Sequence, residues 1–315
     1  MTGGRYALVF PGQGAQKVGM GRELFDAFEA ARATFAETDA ALKEPLSRLI
    51  FEGPLEALTL TANTQPSILA VSIAALRALA SKVPLAPAFV AGHSLGEYSA
   101  LVAAGALSFA DAVRTTRARG TFMQEAVSAG LGAMAAVMKR TEADVAAACE
   151  RAAEGEIVSP ANFNSPDQIV ISGHAGAVAR ASELLQAGGG RVIPLKVSAP
   201  FHCALMQPAA ERLAAFLVDV RFEAPTAPVV TNVEAASNAD ASRIRDLLVT
   251  QVTSPVRWTD SVRRMIAGGV TTFVELGPGN VLAGLIKKID PDARVVSAGD
   301  PKGIEAAATA LAELG

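Results

Sequence analysis

Side chains that usually form disulfides or bind metals are scarce in this chain, which has two cysteines and three histidines among 315 residues. Cys149 and Cys203 form no C-x-x-C pair, so a disulfide framework is not expected. The H-E-x-x-H pattern and paired Cys/His ligand sets are also missing. The sequence therefore predicts no metal site.

Charge and long apolar runs are scarce as well. The formal net charge is −3 and no long basic run occurs, so nucleic-acid binding is not expected. No uninterrupted apolar stretch approaches the roughly 20 residues of a membrane span, and residues 1–14 lack the charged and apolar regions of a signal peptide. We therefore expect a cytoplasmic protein with no role in a membrane, and its 50% apolar composition predicts a sizeable core.

Short apolar runs alternate with longer helical patterns over most of the chain. Four of these runs predict buried strands, at residues 6–10, 87–92, 227–233 and 271–276. Continuous apolar strands separated by helices are typical of a parallel sheet that is covered on both faces. The predicted fold class is therefore α/β.

Residues 128–199 interrupt this alternation with the order β-α-β-β-α-β, which is typical of a ferredoxin-like unit. We predict that this segment forms a small subdomain inserted into a large body made of residues 1–127 and 200–315. A cleft between two subdomains is a favoured place for a ligand site.

The stretch Gly92-His93-Ser94-Leu95-Gly96 is a G-x-S-x-G pattern between a predicted strand and a predicted helix. In a nucleophile elbow this pattern turns the chain sharply and presents the serine hydroxyl. The alternative is a tight turn in which the serine only caps the helix.

Such a serine needs a general base, and the chain offers three histidines as candidates. His93 is adjacent to Ser94, so its side chain is expected to point in another direction. His174 ends a predicted strand beside a glycine and is expected to lie in a turn. His202 follows the last strand of the insert, where the chain returns to the large body, and is the best candidate for general base. The alternative for His202 is a structural role near a proline turn.

Two further stretches offer binding groups. The glycine-rich loop 10–21 fails as a dinucleotide fingerprint because its sixth position is Lys17, but it can bring Gln13 and main-chain amides close to a reacting carbonyl. The alternative is an ordinary glycine turn. Arg114, Arg117 and Arg119 share one predicted helix, and Arg119 could pair with a substrate carboxylate, although a helical arginine is usually a solvated surface charge.

Taken together, these stretches resemble the malonyl-CoA:acyl carrier protein transacylase family. The resemblance covers nearly the whole chain, and it implies a hydrolase-like α/β body with a ferredoxin-like insert. It rests on eight stretches in the family's order: VFPGQGAQ, GHSLGEYSAL, RGTFMQEAV, GAMAAV, NFNSPDQIVISG, FHCALM, SPVRWTDSV and ELGPGNVLAGL.

The resemblance implies roles for five residues in catalysis. Ser94 matches the acylated nucleophile and His202 the catalytic base. Arg119 matches the residue that holds the malonyl carboxylate. Gln13 and the main-chain amide of Leu95 match the oxyanion hole.

Four more residues are implied to support or line the site. Gln251 matches the position whose main-chain carbonyl orients the histidine, a role that an aspartate or glutamate fills in many triads. Asn162 matches a position that lines the cleft from the insert. Phe201 resembles the pattern of malonyl-selecting members, and His93 is expected to border the substrate.

The implied activity is malonyl transfer from malonyl-CoA to the phosphopantetheine thiol of acyl carrier protein, through a malonyl-serine ester. It would supply malonyl units for fatty acid synthesis, although the residues do not separate that pathway from polyketide synthesis. The coenzyme A thioester is then a substrate, no cofactor is bound permanently, and a monomer is expected.

Two other functions are compatible with the pattern. A serine esterase or thioesterase would need an acidic third member after the elbow, for which Glu234, Asp240 and Asp260 are the candidates. A non-catalytic module that only docks a carrier protein is the other, and the retention of serine, histidine and arginine together argues against it.

Overall fold

The computed structural model describes residues 4–128, 130–195, 197 and 199–314. The strands are β1 (Arg5–Phe10), β2 (Phe89–Gly92), β3 (Gly132–Met138), β4 (Val158–Ser165), β5 (Gln168–His174), β6 (Arg191–Pro194), β7 (Val229–Val230), β8 (Ser237–Asn238), β9 (Val270–Leu276) and β10 (Arg294–Ala298). The helices are α1 (Arg22–Ala27), α2 (Glu29–Leu42), α3 (Leu46–Glu52), α4 (Leu55–Thr59), α5 (Thr61–Ala80), α6 (Gly96–Ala103), α7 (Phe109–Glu125), α8 (Glu142–Ala153), α9 (Ala175–Ala187), α10 (Gln207–Phe216), α11 (Ala241–Thr253), α12 (Trp258–Ala267), α13 (Val281–Ile289) and α14 (Pro301–Ala312).

The large sheet has the strand order β10-β9-β1-β2-β7-β8. All neighbours in it are parallel except β7 and β8, which are antiparallel. The α/β class predicted from the apolar runs is confirmed, and each of the four runs contains a strand. The run 227–233 forms only the two-residue strand β7, because the chain turns back after Val230 to pair as β8.

Both faces of this sheet are buried, which explains why its strands are continuously apolar. Side chains alternate between faces along a strand. Leu8 and Phe10 of β1 pack in the larger core with α5, whereas Ala7 and Val9 pack in a second core with α12 and α13. The sequence between residues 61 and 80 folds as the buried helix α5, and no helix within the described ranges is long and apolar enough to cross a membrane.

The small sheet has the order β4-β5-β3-β6 with every pair antiparallel, and α8 and α9 share a separate apolar core with it. This arrangement confirms the predicted ferredoxin-like unit. Its strands span residues 132–194, inside the predicted segment 128–199, and the subdomain boundaries themselves stay a prediction. Strand β6 ends at Pro194; Lys196 and Ser198 of the predicted last strand lie outside the described residues.

The segment between α11 and α12, residues 254–257, joins the small sheet to the large body. Val256 donates its main-chain N–H to Ala161 O at 2.9 Å and accepts from Phe163 N–H at 2.9 Å. Thr259 also donates its hydroxyl to Phe163 O, at 3.1 Å. Because this segment directly follows α11, it fixes β4 beside the end of that helix.

Candidate active site

The nucleophile elbow lies between β2 and α6. Ser94 has a φ of 52°, in the left-handed region that non-glycine residues rarely adopt. A Cβ on Gly92 would overlap the main chain of Gly96, and a Cβ on Gly96 would overlap the carbonyl of Phe10. Only glycine fits at both positions, so the spacing of the motif follows from the packing of the turn. Its strain costs on the order of 1–3 kcal/mol and persists because the surroundings hold it.

Two buried amide side chains hold the main chain of the elbow. Asn232 accepts from the N–H of Ser94 at 2.6 Å and donates to Gly92 O at 2.6 Å. Gln251 donates to Ser94 O at 3.1 Å. The main-chain N–H and C=O of Ser94 are therefore both hydrogen-bonded by side chains that are distant in the sequence.

His202 is in contact with the serine and with the end of α11. Its Nε2 is 2.8 Å from Ser94 Oγ, and its Nδ1 is 2.9 Å from the main-chain oxygen of Gln251. A carbonyl only accepts, so Nδ1 carries the proton and Nε2 is free to accept the serine proton. Burial, with the nearby Arg119 cation, lowers the pKa of His202 to about 3. The imidazole is therefore neutral at pH 7, as a general base must be.

Arg119 lies in α7 with its side chain 1% exposed. Its guanidinium donates to Gln65 Oε1 at 2.7 Å, to Gln251 Oε1 at 2.9 Å and to Ser94 Oγ at 3.1 Å. These three oxygens are neutral, and Nε has no partner within the described part of the chain. Burial lowers the pKa of Arg119, and the neighbouring Tyr98 and Glu97 offset only part of this effect. An anionic group entering the cavity would offset more of it.

A cavity of about 590 Å³ opens in front of these groups, between the two sheets. Met123, Met134 and Phe201 add apolar wall to it. Eight of the nine residues predicted for the site line it, namely Ser94, His202, Arg119, Gln13, Leu95, Asn162, Phe201 and His93. Gln251, the ninth, is fully buried behind them.

The two residues predicted for the oxyanion hole line the same cavity as the serine. Leu95 is the N-cap residue of α6, where main-chain N–H groups have no acceptor within the helix. Gln13 follows β1 and donates its amide to Thr61 Oγ1 at 3.2 Å. Their role as donors to the oxyanion stays a prediction.

The other two histidines are turned away from Ser94. His93 Nε2 is 2.8 Å from Asn164 Oδ1, and burial lowers the pKa of this imidazole. His174 is the last residue of β5 and the N-cap of α9 rather than a turn residue, and its Nδ1 accepts from Ile157 N–H at 2.9 Å. Neither can take the proton of the serine in this geometry.

The acidic residues considered for an esterase triad are engaged elsewhere. Glu234 pairs with Arg243 at 2.6 Å, and Asp260 pairs with Arg257 at 2.8 Å. Asp240 caps α11. Within the described ranges, no group of His, Cys, Asp and Glu side chains could hold a metal ion.

Arg117 and Arg114, the neighbours of Arg119 on α7, do not line the cavity. Arg117 contacts Glu44 at 2.9 Å and also Asn63, and Arg114 pairs with Asp111 at 2.7 Å. Neither is available as the anchor for a substrate carboxylate.

Three buried polar residues of the site were not found from the sequence: Gln65, Asn232 and Glu97. Glu97 is 2% exposed, and its Oε2 accepts from Asn232 N–H at 3.0 Å and from Gln251 Nε2 at 2.8 Å. Burial raises the pKa of Glu97 to about 7. The signal that could have identified Glu97 in the sequence is a charged residue in the first turn of the otherwise uncharged helix α6.

Comparison with known proteins gives consistent matches over nearly the whole length of the chain. The family model described as the acyl transferase domain matches residues 7–299. The malonyl CoA-acyl carrier protein transacylase of Escherichia coli strain K12 is 50% identical over 304 residues, which cover 96% of this chain and 98% of that protein.

Solved structures agree. An acyl carrier protein S-malonyltransferase from Vibrio cholerae matches with a TM-score of 0.94 at 46% identity, over 96% of this chain and 99% of that one. A chain from a solved complex also matches, with a TM-score of 0.95 at 45% identity, over 97% of this chain and 99% of that one. That complex is a type II PKS acyl-carrier protein with its malonyl-transacylase. These matches confirm the resemblance carried by the eight sequence stretches.

Proposed function

Since the chain belongs to the acyl transferase domain family, we propose that it transfers the malonyl group from malonyl-CoA to the phosphopantetheine thiol of an acyl carrier protein. Relatives at about 50% identity are named for this reaction. The observation that carries the proposal is one cavity in which a serine–histidine pair adjoins a buried guanidinium with only neutral acceptors.

In the first half-reaction, Ser94 Oγ attacks the thioester carbonyl while its proton passes to Nε2 of His202. The tetrahedral oxyanion is stabilised by Leu95 N–H and the Gln13 region. The C–S bond then breaks, and coenzyme A leaves with the proton from His202. The product is a malonyl-serine ester.

The second half-reaction repeats these steps with a different nucleophile. The thiol of the phosphopantetheine arm gives its proton to His202, and its sulfur attacks the ester carbonyl. The C–O bond breaks and Ser94 recovers the proton. The Gln251 carbonyl keeps the imidazole in one tautomer in both directions, with less charge stabilisation of the imidazolium than a carboxylate would give.

Arg119 is the proposed anchor for the free malonyl carboxylate. Binding this group would exchange the guanidinium's contact with Ser94 Oγ for a charge-assisted pair and would release the serine for attack. The supporting residues Asn162, Phe201 and His93 would shape the wall against the acyl chain.

The proposal extends to the setting of the enzyme. The protein works as a monomer in the cytoplasm, needs no permanently bound cofactor, and supplies malonyl units for fatty acid synthesis. It binds neither nucleic acid nor membrane.

Initial-rate kinetics with malonyl-CoA and phosphopantetheinylated carrier protein test the proposal. Varying one substrate at several concentrations of the other should give the parallel double-reciprocal lines of a ping-pong reaction. Intersecting lines would contradict a covalent intermediate. Rapid release of malonate without acceptor would support an esterase instead, and binding of carrier protein without any turnover would support a docking module.

A further inference from the structure

The side-chain amide of Gln251 has only one chemically sensible orientation. Its Nε2 faces three oxygens, from Glu97 at 2.8 Å, Ser94 O at 3.1 Å and Asn232 Oδ1 at 3.5 Å. Its Oε1 faces a pure donor, Arg119 Nη2, at 2.9 Å. Turning the amide over would set its oxygen against those acceptors and its NH₂ against the guanidinium.

The shortest of the three contacts that fix this orientation is the one to Glu97. The carboxylate lies in α6, it is 2% exposed, and it does not line the cavity. The amide of Gln251 therefore stands between a buried carboxylate and a buried guanidinium. Its oxygen and the Gln65 oxygen hold the guanidinium from two sides.

We propose that Glu97 is a positioning residue for substrate selection: by fixing the amide of Gln251, it holds the Arg119 guanidinium where a malonyl carboxylate is bound. This inference rests on the proposed function. Glu97 lies outside the cavity, and it acts through the amide of Gln251 and through the main-chain N–H of Asn232.

The proposal separates two tasks of Gln251. Its main-chain oxygen contacts His202 and serves both half-reactions with any acyl group. Its side chain contacts Arg119, which matters for an acyl group with a carboxylate, and it also donates to the main-chain oxygen of Ser94. Losing these side-chain contacts should therefore lower malonyl transfer by a larger factor than acetyl transfer.

Two substitutions at Glu97 separate its hydrogen bonds from its charge. Glu97→Gln can present an amide oxygen where Oε2 now accepts from Gln251 and Asn232, so it should keep most of the preference for malonyl. Glu97→Leu removes the acceptor in a similar volume and should lower malonyl kcat/KM by about 10- to 100-fold, as expected for lost hydrogen bonds involving charged groups. Acetyl transfer should fall by a smaller factor, because acetyl has no carboxylate for Arg119 to bind.

Glu275 provides a matched control. It is also a fully buried glutamate, and its carboxylate accepts from Leu282 N–H at 3.0 Å and Ala283 N–H at 2.9 Å, outside the cavity. Glu275→Leu should lower the melting temperature without changing the ratio of malonyl to acetyl transfer.

The experiment measures kcat/KM for malonyl-CoA and for acetyl-CoA. The rate at which a fluorophosphonate labels Ser94 is measured as well, because it reports on the elbow and on His202. Gln251→Leu, which keeps the main-chain carbonyl, should reproduce the loss of Glu97→Leu, and the double variant should lose little more. If Glu97→Leu does not fold, the ratio of malonyl to acetyl transfer in Gln251→Leu tests the inference instead.

Three results would overturn the inference. They are an unchanged ratio in Glu97→Leu or Gln251→Leu, equal losses of malonyl transfer, acetyl transfer and labelling, and fully additive losses in the double variant. A wild-type enzyme without malonyl transfer would instead refute the proposed function.

Discussion

Replacing Arg119 with alanine removes the guanidinium proposed to bind the malonyl carboxylate. In the buried cavity that carboxylate would then have no charged partner, which costs on the order of 2–5 kcal/mol for a buried pair. In the wild type the guanidinium must give up its 3.1 Å contact with Ser94 Oγ to bind substrate, which offsets about 1 kcal/mol of the gain. We therefore expect malonyl kcat/KM to fall by about 5- to 1,000-fold, corresponding to about 1–4 kcal/mol.

The assay compares malonyl with acetyl transfer to the same carrier protein in wild type, Arg119→Ala and Arg119→Lys. Acetyl transfer should be unchanged or improved in Arg119→Ala, because acetyl has no carboxylate. Lysine should recover only part of the malonyl rate, since a point charge cannot form a two-pronged contact. Arg117→Ala is the matched control on the same helix, outside the cavity. Equal losses for both acyl groups in Arg119→Ala would mean that Arg119 supports the fold and that the reasoning is wrong.

Three further predictions follow from the buried groups. His202 should stay neutral in an NMR titration of its ring from pH 8 to pH 5, because its folded-state pKa is about 3; a midpoint near 6.5 would contradict this. Gly92→Ala should lower the free energy of unfolding by at least about 1–3 kcal/mol and abolish fluorophosphonate labelling, because the new Cβ overlaps Gly96; full stability and labelling would refute the packing argument. Burial raises the pKa of Glu275 from 4.5 to about 7, so the folded state binds more protons than the unfolded state between these values. Its contribution to stability is thus lost as pH rises from 4.5 to 7, by on the order of 3 kcal/mol, and Glu275→Gln should flatten urea-derived stability over that range; an unchanged slope would contradict it.

The sequence was sufficient for the elements whose signals are local. Ser94 could be predicted because the glycines that its turn needs are two residues away on either side. The strands of the large sheet could be predicted where both faces are buried, whereas edge strand β10 has only one fully buried residue and gives no continuous apolar run.

The support of the site could not be predicted, because its contacts are between distant parts of the chain. The hydrogen bond from Asn232 to Glu97 spans 135 positions, and that from Gln251 to Ser94 spans 157. Such a pairing leaves no periodic signal in the sequence. Gln251 itself was assigned a main-chain role from family resemblance, and only the structure reveals its side-chain contact with Arg119.

Mass spectrometry of the intact protein tests the covalent mechanism most directly. After exposure to malonyl-CoA, the wild type should gain the mass of one malonyl group, located on Ser94, and lose it when phosphopantetheinylated carrier protein is added. Ser94→Ala should remain unmodified while keeping the melting temperature of the wild type. A full adduct on Ser94→Ala, or an adduct on the wild type that carrier protein fails to remove, would contradict transfer through a malonyl-serine ester.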